Sequence, residues 1–307
     1  MAFRVLVSDP LDPTAVAAMR EAGLEVDERT DLDPEAIAAA IGGYDAIVVR
    51  SATKVRAPII DAGKRLKLIV RAGVGLDNID VGYAEQKGVT VRNTPAASSN
   101  SVAELALGHL LSLARGIARG TVSMKAGKWE KKALKGIEID GKTLGIIGLG
   151  RIGCALGRKA TALGMRILAF DAFLERCPVE GLAEMVDLER LLSESDFISL
   201  HIPFDPEAGP AIGEGEFARM KEGVRIINCA RGGVIDERAL IAALKSGKVA
   251  GAALDVYETE PPAAGDPLLE MENLSLTPHI GASTVEAQER VGDEAAQIVI
   301  TFARAGG

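Results

Sequence analysis

Three residues of chemically useful type each stand just beyond a short apolar run. They are Arg231 in Ile226-Ile227-Asn228-Cys229-Ala230-Arg231-Gly232-Gly233, Glu260 in Leu254-Asp255-Val256-Tyr257-Glu258-Thr259-Glu260-Pro261-Pro262, and His279 in Thr277-Pro278-His279-Ile280-Gly281-Ala282-Ser283. An imidazole titrates near neutral pH, so His279 can take or give a proton. A carboxylate hydrogen-bonded to it would orient the ring and stabilise its cation, a role open to Glu260. A guanidinium binds carboxylates and carbonyl oxygens and stabilises charge that develops on them, which suits Arg231. Singly, each has an ordinary use: a surface ion pair, a solvated loop acid, a capping histidine. Three at successive strand ends can converge on one crevice of an open α/β sheet, and the joint occurrence points to acid–base chemistry.

A second motif supplies a ligand class. Leu144-Gly145-Ile146-Ile147-Gly148-Leu149-Gly150-Arg151-Ile152-Gly153 sets G-x-G-x-x-G between a strand and a helix. Gly148 permits the tight turn, Gly150 lets backbone approach a pyrophosphate, and Gly153 allows close packing of helix on strand. The helix N-terminus beyond it offers free N–H groups and a positive dipole end. With 34 glycines in the chain a bare match is weak, but Asp171 ends the next strand 23 residues beyond Gly148. That is the spacing of an acid that binds a ribose diol, and it favours NAD over NADP because a carboxylate repels a 2′-phosphate.

The elements that must position these residues can be read from the apolar pattern. Runs at Phe3–Val7, Asp45–Val49, Lys67–Val70 and Val89–Val91 are continuous rather than alternating, which suits parallel strands covered on both faces. Helices are expected at Thr14–Ala22 and at Asp33–Ile41, where Asp33-Pro34-Glu35 combines an N-cap, a first-turn proline and an acid. A single long helix, capped by hydroxyls and with Glu104 in its first turn, is expected from Ser98 to Lys125. A second βα series follows, with strands at Thr143–Ile147, Met165–Phe170, Phe197–Leu200, Val224–Cys229, Val249–Leu254 and Leu274–Thr277. Its helices fall at Arg151–Leu163, Asp187–Ser193, Asp236–Lys245 and Thr284–Arg304. The fold expected is α/β: two doubly wound parallel-sheet domains, a Rossmann domain over 98–284 inserted into a flavodoxin-like domain made of 1–97 and 285–307.

Composition bounds the partners. The chain has 307 residues, 35 Lys+Arg against 43 Asp+Glu and a net charge of −8, so it lacks the basic footprint of a nucleic-acid binder. Its apolar runs are strand-sized, and the first residues read as a strand rather than a secretory signal. No membrane partner is expected. Cys154, Cys177 and Cys229 have no ligand spacing and read as free thiols in a reducing cytoplasm. No metal site is expected.

Together with the Gly148–Gly153 turn, the segments NCARGGVID, ALDVYETEPP and TPHIGAST resemble the D-2-hydroxyacid dehydrogenase family. The resemblance extends to RSATKV and RAGVGLDNID nearer the N-terminus, and so covers nearly the whole chain. It implies an NAD-dependent oxidoreductase for a small 2-hydroxy acid, with Arg231, Glu260 and His279 catalytic. The cofactor would be lined by Val74, Gly148, Gly150, Arg151, Ile152, Gly153, Asp171, His201, Ile202, Pro203, Cys229, Ala230, Arg231, Asp255, His279, Gly281 and Ala282. The substrate would meet Arg50, Ser51, Arg71, Gly73, Val74, Gly75, Arg231 and His279. The branch it looks closest to is that of the phosphoglycerate dehydrogenases, where arginines matching Arg50 and Arg71 help bind the substrate anion. Hydroxypyruvate or glyoxylate reduction and a non-catalytic NAD-binding corepressor are the alternatives. Two segments depart from the family pattern, Ser98-Ser99-Asn100 and Pro203-Phe204-Asp205-Pro206. The family implies a homodimer, and the end at Gly307 suggests a form without a regulatory domain. His109, inside an apolar helix, reads as structural.

Overall fold

The continuous apolar runs become the central strands of two parallel sheets in the computed structural model, which describes residues 2–306. The chain divides into two compact units, one of residues up to 99 with those from 282 on, the other of residues 100–281.

The first unit runs β1 (Arg4–Val7), α1 (Pro13–Glu21), β2 (Glu25–Glu28), α2 (Pro34–Ala40), β3 (Ala46–Val49), α3 (Ala57–Ala62), β4 (Leu68–Arg71), α4 (Val81–Gln86) and β5 (Thr90–Asn93). The sheet order is β2-β1-β3-β4-β5 with every pairing parallel. Strand order reverses between β1 and β3, the position at which doubly wound sheets bind ligands. β3 is buried throughout, as a strand covered on both faces must be. The last helix, Val285–Arg304, returns to this unit, where Val291, Ala295 and Val299 join Val5, Val7, Val16 and Met19 in one core. Asp33 caps α2 by accepting from Ala36 N at 2.8 Å, with Pro34 and Glu35 in the first turn.

The second unit contains α5 (Ser99–Arg115), α6 (Ile117–Lys125), β6 (Thr143–Ile147), α7 (Arg151–Ala162), β7 (Arg166–Phe170), β8 (Glu184–Met185), α8 (Leu188–Glu194), β9 (Phe197–Leu200), α9 (Glu214–Arg219), β10 (Val224–Asn228), α10 (Glu237–Ser246), β11 (Val249–Leu254) and β12 (Leu274–Leu276); the returning helix is α11. Its sheet is parallel in the order β12-β11-β10-β9-β6-β7-β8, and the switch lies between β9 and β6. Fold class is as the sequence implied: two doubly wound α/β units.

Several elements differ from expectation for local reasons. The helix expected over Ser98–Lys125 is two helices, because Gly116 takes the left-handed conformation (φ 63°) and interrupts it. Glu104 lies beyond the first turn of α5, and its carboxylate instead receives Lys159 Nζ at 3.1 Å. β2 and β8 were not expected; they are short, polar edge strands without an apolar run. α3, α4 and α9 have six residues each, too few for helical periodicity to register. Among the described residues no helix is long and apolar enough to cross a membrane.

Candidate active site

In the second unit the residues that could do chemistry lie past the C-terminal ends of adjacent parallel strands. Asn228, Leu254 and Leu276 are in register at the ends of β10, β11 and β12. Arg231, Glu260 and His279 follow them by a few residues. Glu260 and His279, 19 residues apart in sequence, meet: His279 Nδ1 is 2.7 Å from Glu260 Oε2. A carboxylate only accepts, so Nδ1 carries the hydrogen and Nε2 is left as the proton acceptor. The other oxygen, Oε1, accepts from Tyr257 N at 3.1 Å, which fixes the carboxylate's direction. Both side chains are partly open to solvent, as groups that exchange protons with a bound molecule must be.

His279 is the one described non-glycine residue with positive φ, at 52°. Such a conformation costs about 1–2 kcal/mol and persists only where neighbours over-determine it. Asp255, almost fully buried, does this: Oδ1 accepts from Ile280 N at 2.8 Å and from Thr277 Oγ1 at 2.7 Å, and Oδ2 accepts from Gly281 N at 2.8 Å. Asp255 is thus engaged with the loop that carries His279. The phenol of Tyr257 donates to Thr277 O at 3.0 Å, and burial together with Asp255 and Glu260 pushes its pKa up to about 12. Ser101 Oγ on α5 donates to Gly281 O at 2.6 Å. Arg231 is braced through its backbone: Asn228 Nδ2 donates to Arg231 O at 2.9 Å, while Asn228 Oδ1 accepts from Ala230 N at 3.0 Å. Cys229 is buried, and burial raises its thiol pKa, so it is inert packing beside the site. Thr277 and Asn228 carry no chemistry of their own, and sequence reading did not single them out.

A dinucleotide fits the switch point. Gly148 (φ 91°) is pressed against the end of β9, where a Cβ would lie 2.6 Å from His201 O. Gly153 abuts the Gly148 carbonyl, so α7 packs directly on the turn. Gly150 is exposed, and a Cβ there would meet nothing within 4 Å, which leaves open space at the N-terminus of α7. No side chain caps that terminus, so its N–H groups are available to phosphate oxygens. Arg151 is exposed and Ile152 half-buried in the same first turn. Asp171 accepts from Leu149 N at 2.8 Å and from Phe173 N at 2.9 Å, one bond per oxygen, which orients it with acceptor capacity to spare. His201 Nε2 pairs with Ser199 Oγ at 3.0 Å and Nδ1 has no partner; burial drives its pKa down to about 4, so the ring is neutral and unsuited to acid–base work. Ile202 and Pro203 continue this strand end. Among the described residues no group of three or more His, Cys, Asp or Glu could hold a metal ion.

In the first unit, Arg50 follows β3 and Arg71 ends β4, the neighbouring strand, with Val49 and Arg71 in register. The Arg50 loop is anchored by buried Asp9, which accepts from Arg50 N and from Thr53 Oγ1 at 2.9 Å. Asn78 Nδ2 donates to Arg50 O and Thr53 O, and Ser51 is left exposed at the tip. Burial lowers the Arg50 pKa and Asp9 opposes the shift. Gly73 is buried with the Arg71 guanidinium where a Cβ would be, and Val74 O accepts from Asn93 Nδ2. Gly75 is half-buried beside them. Ala282 belongs to this unit, and its carbonyl accepts from Gln288 Nε2 at 2.7 Å.

The family model described as "D-isomer specific 2-hydroxyacid dehydrogenase, NAD binding domain" matches residues 107–281. The hydroxypyruvate reductase of Thermotoga maritima is 53% identical over 295 residues, which cover 95% of this chain and 95% of that protein. The D-3-phosphoglycerate dehydrogenase of Archaeoglobus fulgidus is 47% identical over 303 residues, 98% of this chain and 58% of that protein, so the chain spans little more than half of that relative's length. The D-lactate dehydrogenase of Aquifex aeolicus, solved with NAD and lactic acid, is similar in fold with a TM-score of 0.84 at 31% identity, over 98% of this chain and 96% of that one.

Proposed function

The chain belongs to the D-isomer specific 2-hydroxyacid dehydrogenases, with NAD as cofactor of the domain at residues 107–281, and from that premise we propose that it oxidises D-3-phosphoglycerate to the corresponding 2-keto acid. The observation that carries the substrate assignment is the placement of Arg50 and Arg71 at neighbouring strand ends of the first unit. Two guanidinium groups suit an acid with a carboxylate at one end and a phosphate at the other.

His279 takes the hydroxyl proton on Nε2 in oxidation and returns it to the carbonyl oxygen in reduction, while its Nδ1–H stays on Glu260. Glu260 stabilises the imidazolium formed in the oxidative direction. Arg231 binds the substrate's carboxylate or carbonyl oxygen and stabilises charge developing there. The backbone at Gly148, Gly150 and the start of α7 would hold the pyrophosphate of NAD, and Asp171 would hold a ribose diol. Bound there, NAD would supply the acceptor for the substrate's hydride.

The extent of the match to the Thermotoga protein, 95% of both chains, favours hydroxypyruvate reduction as the second reading. Steady-state kcat/KM for D-3-phosphoglycerate and D-glycerate with NAD, and for hydroxypyruvate with NADH, decides between them. A preference for the phosphorylated acid that Arg71→Ala erases supports the first reading; equal use of both acids, or turnover of hydroxypyruvate alone, overturns it. A homodimer through α6 belongs to the same proposal, supported by exposed Ile117, Val122, Met124 and Trp129 in and after that helix. Sedimentation as a monomer at assay concentration would overturn that part.

A further inference from the structure

We propose that His109, in the middle of α5, is a positioning residue for His279, acting through Thr277 and Asp255 to hold the loop that carries the acid–base imidazole. The inference rests on the role assigned to His279 and adds a residue that touches neither substrate nor cofactor in that scheme.

His109 is 4% exposed, and both ring nitrogens are engaged: Nδ1 lies 2.9 Å from Ser275 Oγ and Nε2 lies 3.0 Å from Thr277 Oγ1. Ser275 Oγ also lies 3.1 Å from Ser112 Oγ, one turn further along α5. Thr277 Oγ1 lies 2.7 Å from Asp255 Oδ1.

Counting hydrogens assigns the direction of the bonds between His109 and Asp255. Asp255 already accepts from two backbone N–H groups, and a carboxylate can take from Thr277 only that residue's single hydroxyl hydrogen. The Thr277 oxygen must then accept, and its donor is Nε2–H of His109. A neutral imidazole protonated on Nε2 has a bare Nδ1, which accepts from Ser275. Donation runs one way, from Ser275 through His109 and Thr277 to Asp255. Burial lowers the His109 pKa and keeps the ring in the neutral form that this order requires.

The network ends on both sides of the strained residue. Thr277 lies two residues before His279, and the Asp255 oxygens hold the N–H groups of the two residues after it. With φ at 52°, His279 needs constraints on each side, and the Nε2–H of His109 is the partner that leaves the Thr277 hydroxyl only Asp255 to serve. An apolar replacement frees that hydroxyl oxygen, slackens the Thr277–Asp255 contact and lets the imidazole drift from Glu260.

The test uses His109→Leu, His109→Gln and Thr277→Val with the double variant His109→Leu/Thr277→Val. Gln places an amide N–H near the Nε2 position and serves as the conservative rescue. His109→Leu should lower kcat by roughly ten- to a hundredfold, as a misplaced catalytic group does, with KM for NADH changed less than about twofold. His109→Gln should recover most of that kcat, and the double variant should be no slower than Thr277→Val alone. An unchanged kcat in His109→Leu, or losses that multiply in the double variant, would overturn the inference. Nitrogen-15 histidine NMR reads the same point without substrate, since the chain has three histidines. His109 should appear as the neutral Nε2–H tautomer, and His109→Leu should move the His279 ring signals. If the wild-type protein turned over no 2-hydroxy acid, the functional reading would fail while this spectrum still decided the placement of His279; an Nδ1–H tautomer or unmoved His279 signals would refute it.

Discussion

At the residue scale, the pairing of His279 with Glu260 divides labour in a way that two substitutions separate. His279→Gln removes the proton acceptor and should cut kcat by at least about a hundredfold, with NADH binding, followed by fluorescence titration, near normal. Glu260→Gln keeps a polar partner on Nδ1 but removes the charge that favours imidazolium, so the loss should be smaller and the acid limb of the oxidation rate should move to lower pH. Retention of most of the kcat in His279→Gln would require another base. Asp171, with one backbone hydrogen bond on each oxygen, is aimed and still has lone pairs to offer a ribose diol. NAD should be preferred over NADP by about tenfold or more, equivalent to 1.4 kcal/mol, and Asp171→Ala should narrow the gap by raising KM for NAD. These residue types and the 23-residue spacing were legible in the sequence because each residue follows a contiguous apolar strand run.

At the element scale, the turn between β6 and α7 lets fold and ligand be tested apart. Gly150 faces open space, so Gly150→Ala should leave the melting temperature within a degree or two while weakening NAD binding by titration calorimetry. Gly153 abuts the Gly148 carbonyl, so Gly153→Ala must push helix from strand and should cost about 1–3 kcal/mol of stability as well as NAD affinity. Equal effects of the two substitutions on stability would contradict the packing. The break between α5 and α6 was not legible, because Gly116 (φ 63°) resembles any helix-interior glycine until tertiary packing selects its left-handed state. The edge strands β2 and β8 escaped for the opposite reason: their pairing comes from a neighbour, not from their own apolar pattern.

On the scale of the whole molecule, a neutral, half-buried histidine makes stability depend on pH. The His201 pKa is held near 4 against 6.5 in an unfolded chain, so the unfolded state binds the extra proton between those values. Stability from this residue is complete above about pH 6.5 and falls as pH drops toward 4, by at most about 3 kcal/mol. Urea titrations at pH 7 and pH 4.5 should show that slope, and His201→Leu should reduce it, leaving the share of His109, whose pKa burial also lowers; an unchanged slope would assign acid sensitivity elsewhere. The α/β class, the positions of the central strands and the dinucleotide turn are all readable from the amino-acid sequence. All of these are written in contiguous residues, through continuous apolar runs and glycines at fixed offsets. Tertiary structure alone decided that His279 meets Glu260, that Asp255 is spent on the loop around His279, and that His109 reaches Ser275 from 166 residues away. Those contacts depend on strand order and on which face of α5 meets β12. No short-range pattern encodes them, because a lone polar side chain in a helix or loop looks the same whether its partner is water or a residue on a distant strand.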